Sequence, residues 1–578
     1  MRSCDTFPRR RPIALLLLTA PCVMLAAANI ALGQAPKGTV KADDPPPALT
    51  YHGLVPGLST ADDVRKALGE PDHEARWYAY KMLYEVPDRP GVYDSVHLHG
   101  KDGGFSCVEA ATVPAGYETR KKVLATLGEP EQEIRMPTFS LLDYSAKGVR
   151  FVFDDAGQTI GVAYVPHLRP RVHSGARRQI DLSHLRSGPQ PRPDKPADLS
   201  ELKCGVAETA ISPFTPEWLP PRVRAGYNPH DDLKARCVVF EKDGLRIALV
   251  GADLFGMTSN DIAPMREWAA DSGVPFMVLA MSHNHAAPDT IGVYGHYPEA
   301  YIQYIQDQVV RCIEDAVKDL RPVKEFRVAS RELPMDGARV IGYIRNARNV
   351  GIVDPTLSIL QPIGTDDQPI ATIVNFACHV EGLQKGVLEL SADFPGYMCD
   401  QIKKDGGGQA VFLNGAVGGM ISGDNKARTH EEAKATGLGL ATLVKELAET
   451  AQPQATFDLS VDARRVEIPM TNQNFKPLYQ ARGGLNRGRV VTEVALITLG
   501  EAQLLTIPGE LLPEVSFEIQ EKMTGFPRIL IGLANDELGY IIPEYDFRDD
   551  YYEETMSQGP ATAPIIRDTA TRLLTGVE

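Results

Sequence analysis

A chain of 578 residues exceeds one ordinary domain, and 43% hydrophobic with 23% charged residues is a globular composition with enough apolar material for a large core. The net charge of −15, with no long basic run, argues against nucleic acid or anionic lipid surfaces as partners.

Arg2 and Arg9 to Arg11 precede an apolar run from Ile13 to Ala31, and Ala31 and Gly33 are small enough for signal-peptidase cleavage. Residues 1–33 therefore read as a signal peptide, and the protein is expected to be exported to the periplasm or outside the cell. No later stretch is long and apolar enough to span a bilayer, so no transmembrane span is expected in the mature chain. Six cysteines follow the signal: Cys107, Cys204, Cys237, Cys312, Cys378 and Cys399. None lies in a Cys-x-x-Cys pair, and buried free thiols are the expectation. Residues 34–50, rich in Pro, Lys, Asp and Ala, form a flexible lead-in.

An internal repeat occupies residues 51–165. Gly57-Leu-Ser-Thr-Ala-Asp-Asp-Val-Arg-Lys-Ala-Leu-Gly-Glu-Pro71 is echoed by Gly116-Tyr-Glu-Thr-Arg-Lys-Lys-Val-Leu-Ala-Thr-Leu-Gly-Glu-Pro130. Each copy predicts a short helix, capped in the first by Ser59 or Thr60 and stopped by Gly69 and Pro71. Strand-like segments follow: Trp77 to Val86 and Ser95 to Leu98, then Phe139 to Tyr144, Val149 to Phe153 and Ile160 to Val165. The unit is a small α+β module used twice, and it resembles the small modules of outer-membrane assembly lipoproteins. Titratable residues do not converge in it, so binding or packing, with an envelope partner in view, is the expected role.

Residues 166–200 are proline-rich, and Pro189-Gln-Pro-Arg-Pro193 favours extended chain; this stretch reads as a linker with few contacts across it. From residue 201 to 578 strands alternate with helices, which predicts a mixed-sheet α/β domain. Strands are expected at Cys237 to Phe240, Arg246 to Ala252, Phe276 to Met281, Ile370 to Cys378 and Val411 to Leu413. Glu299 to Leu320 has the spacing of an amphipathic helix, and Val490 to Leu499 with Ala502 to Ile507 a hairpin around Gly500-Glu501.

The chemistry gathers at strand ends. Ser282-His-Asn-His-Ala-Ala-Pro-Asp289 directly follows a buried strand, and loops at strand ends are where α/β enzymes place reactive groups. Histidines at i and i+2 on extended chain point to opposite sides, so one metal takes His283 or His285 directly and leaves the other for a supporting role. A polar turn is the alternative. Asn375-Phe-Ala-Cys-His379, Thr506-Ile-Pro-Gly-Glu510 and Gly532-Leu-Ala-Asn-Asp-Glu-Leu-Gly-Tyr540 repeat the construction with another His, a Glu and a Tyr. Zinc accepts such donors, but spacing alone does not bring the four together.

Residues 204 to about 555 resemble the neutral/alkaline ceramidase family. The likeness is carried, in family order, by Cys204-Gly-Val-Ala-Glu-Thr-Ala-Ile-Ser-Pro213, Asp232-Leu-Lys-Ala-Arg-Cys-Val-Val-Phe240, Ser282-His-Asn-His-Ala-Ala-Pro288, Gly351-Ile-Val-Asp-Pro355, Asn375-Phe-Ala-Cys-His379, Ser391-Ala-Asp-Phe-Pro-Gly-Tyr397 and Ile507-Pro-Gly-Glu510. The resemblance implies His283, His379, Glu510 and Tyr540 as Zn2+ ligands. It also implies hydrolysis of an amide, or an ester, in a small-molecule or lipid-like N-acyl substrate by metal-activated water. His285 becomes the residue that holds or relays a proton, and Arg345 and Asn346 fall where the family orients its substrate. The chain departs from the family at Asn414-Gly-Ala-Val-Gly-Gly-Met-Ile-Ser422: Gly419 stands at the family's Asp, Ile421 at its Ser, and Ser422 one place late as a candidate replacement. The family's C-terminal β-sandwich is not recognisable before Glu578. These departures put ceramide itself in doubt as a substrate and leave a non-catalytic, ceramidase-like envelope protein as the alternative.

Overall fold

The structure is a computed structural model describing residues 49–576, except 77–79, 88, 91, 99–104, 167–177, 186, 189, 220–228, 294–297, 336, 338, 341, 384–388, 423–427, 482–483 and 549–550. The signal-peptide reading therefore lies outside the described residues. Among them no helix is long and apolar enough to cross a membrane. The six cysteines are buried and free.

Residues 203–576 build two stacked sheets with helices on both outer sides, a layered solution in which every apolar face finds a partner. The larger sheet runs, in spatial order, through strands Phe276–Met281, Leu245–Ala252, Lys234–Lys242, Lys203–Ala210, Arg321–Glu332, Thr356–Gly364, Ala371–Phe376 and Gln409–Asn414. The smaller runs through Leu459–Pro469, Arg489–Leu499, Ala502–Thr506 and Arg528–Ile531. The core between them joins Val238, Phe240, Leu249 and Val278 of the first to Ile497, Leu504 and Ile529 of the second. Helices Ser259–Asp271 and Glu299–Lys318 cover one half of the large sheet, and Asp393–Lys404 and His430–Thr450 the other. Pro513–Gln520 and Thr562–Thr575 cover the small sheet. Glu299–Lys318 buries Ile302, Ile305, Val309 and Ile313, the stripe its spacing predicts.

Within these two sheets, among the described residues, three strand pairs are parallel: Leu245–Ala252 with Phe276–Met281, Ala371–Phe376 with Gln409–Asn414, and Ala502–Thr506 with Arg528–Ile531. Their strands are mostly apolar, as parallel strands covered on both faces tend to be. Their carboxyl ends deliver the loops that carry the candidate ligands.

The two repeats form one further sheet. His73–Arg76, Tyr80–Glu85, Tyr93–Leu98 and Phe105–Ala110 are the first meander; Gln132–Arg135, Phe139–Tyr144, Val149–Asp154 and Thr159–Tyr164 are the second. They join antiparallel through their last strands. Each helix, Ala61–Leu68 or Arg120–Leu127, is capped by a threonine, Thr60 or Thr119. Each ends at a glycine with φ of +82° or +74°, a region closed to most side chains. The two copies even share a bond across this turn: Tyr84 donates to the Gly69 carbonyl at 3.2 Å and Tyr144 to that of Gly128 at 2.7 Å.

The linker expectation fails. Arg178–Asp181 pairs in parallel with Gln132–Arg135, extending the module's sheet. Ile134, Leu141, Val152 and Ile180 share a buried cluster with Val350, Ile352 and Phe517 of the α/β domain. Arg150 donates to the Val350 carbonyl at 3.1 Å. Proline content forecast a free tether, but the apolar outer face of the second copy requires cover and takes it from the larger domain.

Candidate metal centre

His283 follows strand Phe276–Met281 and His379 follows Ala371–Phe376. The two loops are zipped together: Asn284 bridges Val380 in parallel, and the His285 amide donates to the Val380 carbonyl at 2.9 Å. Asn414, at the end of the neighbouring strand, clamps both loops. Its amide nitrogen donates to the Ser282 and Cys378 carbonyls, each at 2.8 Å, and its oxygen accepts from Cys378 N at 3.1 Å. His283 sits at φ +62°, an unusual backbone for a histidine that this clamp holds in place.

Each ring is locked through Nδ1. His283 Nδ1 lies 2.9 Å from the Phe255 carbonyl, and His379 Nδ1 2.9 Å from that of Val417 and 3.1 Å from that of Met420. A carbonyl can only accept, so Nδ1 carries the proton and Nε2 presents its lone pair, the arrangement of a metal-ligating histidine. Both Nε2 atoms face one carboxylate oxygen, Glu510 Oε2, at 3.5 and 3.0 Å. Glu510 is Cα partner to Tyr540 on a two-residue parallel ladder, so these donors stand side by side. The Tyr540 hydroxyl bonds to the Glu510 carboxylate. His283, His379, Glu510 and Tyr540 are all buried.

Burial alone would make this an expensive carboxylate. Glu510 is nonetheless held below its ordinary pKa, because the two histidines and Tyr540 outweigh desolvation. Burial pushes His283 down to about 4. It opposes charge on His379 too, but there the Glu510 carboxylate, 3.0 Å from Nε2, wins and lifts the ring to about 9. Glu510 Oε2 has no hydrogen-bond partner that meets full geometry despite its burial. A buried orphan oxygen facing two locked Nε2 atoms is what a divalent cation would satisfy, and the donor set of two nitrogens and two oxygens suits one. Candidate metal-binding groups are therefore present; their arrangement does not name the ion.

His285, half-buried, places its ring centroid 4.7 Å from that of His283 and 5.6 Å from that of His379. Its nitrogen falls within the same metal-compatible group as theirs. Arg345 and Asn346 lie on strand Ile344–Asn346, paired with Met420–Ser422. Asn346 folds its own loop, donating to the Ile352 carbonyl and accepting from the amides of Arg348 and Asn349. Arg345 reaches out of the α/β domain to His97 and Glu109 of the first repeat. Ser422 is placed by its backbone opposite Ile344; its side chain, like that of Ile421, lies outside the described residues. Gly418 and Gly419 are explained locally. A Cβ on Gly418 would stand 2.6 Å from the Glu510 carbonyl, and one on Gly419, at φ +73°, 2.9 Å from Asn346 Oδ1.

The motifs do not single out Glu381 and Glu537, both buried near the ligands. Glu537 is pushed well above its usual range by burial and by Glu510, and Glu381 adds to the negative field on His379. The signal was available in their positions, two residues after His379 and three before Tyr540. A second group, His230, Glu389 and His430, also has metal-compatible spacing. Its side chains already bond, His430 to Glu389 at 2.8 Å and His230 to Tyr397 at 3.1 Å.

The architecture has solved counterparts. The crystal structure of neutral ceramidase from Pseudomonas aeruginosa superposes with a TM-score of 0.53 at 18% identity, covering 66% of this chain and 75% of that one. A ceramidase complexed with C2 gives 0.55 at 17%, with the same coverage. The chain has a ceramidase-like fold. At such identity the likeness establishes the mixed α/β architecture and not an activity. No family model matches the sequence, and no curated protein matches it.

Proposed function

We propose that this protein is an exported, zinc-dependent hydrolase of amide bonds in N-acyl compounds, with His283, His379, Glu510 and Tyr540 as ligands. The observation that carries this reading is the convergence of two Nδ1-locked histidines on the orphan oxygen of Glu510. Zinc, when bound, supplies Lewis-acid polarisation of the scissile carbonyl and acidifies water at neutral pH. The remaining work falls to the chain. Glu510 balances positive charge in a buried site. The Tyr540 hydroxyl, bonded to Glu510, holds that carboxylate toward the site. His285, against both ligand rings, holds the proton delivered to the departing amine at a ring nitrogen. With Ile421 where the resembled family has serine, we infer short or polar acyl compounds to be better substrates than long-chain ceramide.

The test is metal content and turnover on the full mature chain. About one zinc per chain is expected, with His283→Ala losing both the metal and hydrolysis of short N-acyl amides. Loaded protein that cleaves no amide or ester would overturn the reading, as would wild-type protein that binds no metal. Ceramide as the best substrate would overturn the inference from Ile421.

A further inference from the structure

A second set of ligand-type side chains stands apart from His283 and His379. His230 and Glu389 come from loops, and His430 opens the helix His430–Thr450. Glu431 and Glu432 in the first turn of that helix offset its positive end, which would otherwise repel a cation. With one donor atom from each of the three residues, those atoms all lie within 4.8 Å of one another. A tetrahedral ion with bonds of about 2.0–2.3 Å holds its ligands about 3.3–3.8 Å apart, so small side-chain shifts close the set.

The hydrogen bonds around the rings leave room for an ion. His430 Nε2 lies 2.8 Å from Glu389 Oε2, much as His379 Nε2 faces Glu510 Oε2 at 3.0 Å. The other nitrogen of the ring, Nδ1, is buried and has no hydrogen-bond partner among the described residues. No bond at Nδ1 therefore fixes the tautomer, and the ring proton can pass there when Nε2 takes a metal. A histidine serving only to pack or to cap would have that buried nitrogen satisfied. His230 Nε2 lies 3.1 Å from the Tyr397 hydroxyl, which also bonds to the Asp231 carboxylate. A hydroxyl has one proton to give. Given to the carboxylate, it leaves the hydroxyl oxygen accepting from His230 Nε2, and the lone pair of that ring at Nδ1. An oxygen partner on one ring nitrogen and a lone pair on the other is how a metal-ligating histidine is oriented. The two rings stack with centroids 3.6 Å apart and 18° between their planes. An ion lies in the plane of each ring it binds, so the stack has to open, and His230 is the exposed member able to swing. That reorganisation makes this site weaker than the centre at His283 and His379, whose rings are already locked.

The cluster adjoins the loop that carries His283 and His285. The His230 amide donates to the Leu390 carbonyl at 2.8 Å, and Asp231 accepts from Ser391 Oγ and the Ala392 amide, each at 2.6 Å. Asn284 in turn donates to the Ser391 carbonyl at 2.7 Å. One turn along the helix from His430, Ala433 packs with Ala286 and Leu383.

We propose that His230, Glu389 and His430 form a second, weaker site for a divalent transition-metal ion of the zinc class, which cross-links three segments beside the loop bearing His283 and His285. Two imidazoles and one carboxylate suit zinc, cobalt, nickel or copper, and not magnesium or calcium, which require oxygen shells. Solvent completes the coordination, since His230 is exposed. The site is independent of the hydrolase reading.

The test is calorimetric titration of the full mature chain with Zn2+. The tight ion at His283 and His379 is present as isolated, and added Zn2+ is expected to fill one further, weaker equivalent. His430→Gln and His230→Gln should each weaken that equivalent at least about tenfold, the loss that removing even an outer-shell partner of a metal site can cause. His230→Gln, at an exposed position, keeps the test readable if His430→Gln disturbs folding. The His283→Ala chain, without its tight ion, should still take up one equivalent of added Zn2+ and melt at a higher temperature for it. That gain should be missing from the His283→Ala, His430→Gln double variant. A wild-type chain that saturates at the tight ion alone overturns the proposal. So does a further equivalent that persists in both His430→Gln and His230→Gln, which belongs to another surface group. Uptake that depends on His430 in a wild-type chain lacking any tight ion would retain this site and refute the centre at His283.

Discussion

The two repeats are copies in backbone and opposites in surface. Both use a threonine-capped helix, a glycine stop and a tyrosine hydroxyl on that glycine's carbonyl. Yet the face turned to the α/β domain is Ile134, Leu141 and Val152 in one and Lys81, His97 and Glu109 in the other. A face that only has to adhere is best made apolar, because apolar burial needs no partner geometry. A buried face that stays charged is costly and needs its ionic partners in place. The comparison assigns anchoring on the α/β domain to the second copy.

The harshest way to break this assignment is to remove the module. A chain beginning near Leu199 would expose Val350, Ile352 and Phe517 and take Arg150 away from its buried neighbours Glu514 and Asp546. We expect such a chain to be aggregated or unfolded, read by soluble yield and gel filtration. A monomeric, zinc-binding truncation would show that the second copy is not an anchor. Next in size is a single anchor residue. Leu141, 1% exposed within the shared cluster, should cost about 2–5 kcal/mol as Leu141→Ala in urea unfolding.

The sequence discloses the anchor's strands but not its partner. Alternation in Phe139 to Tyr144 marks two faces without saying that the second is covered by residues two hundred positions away. Proline content at 166–200 pointed the wrong way for the same reason: local extended preference is silent about what extended chain pairs with, here Gln132–Arg135. The candidate ligands were easier to read. Each is a polar residue closing an apolar strand, and buried parallel strands are visible in sequence because both faces must be hydrophobic. Their convergence depends on Asn414 and on the Glu510–Tyr540 ladder, which are contacts between distant segments. Glu109 and His97 were invisible for a related cause. A charged residue in an alternating strand reads as solvent-facing unless the covering domain is known.

Acidity sharpens the comparison by a smaller amount. Glu514, behind the anchor, is raised to about 7 by burial and by the charge of Asp546. An acid whose folded pKa lies above its unfolded value stabilises the fold fully below the unfolded value and loses that contribution as pH rises through the folded one. Stability should therefore fall between about pH 5 and pH 8, by at most on the order of 3 kcal/mol from this residue. Glu332, which accepts from Thr138 of the second copy and is also raised to about 7 by burial, adds in the same direction. Thermal melts across that range should show the decline, and Glu514→Gln should flatten it. A stability that rises from pH 5 to pH 8 would contradict the assignment of these carboxyls.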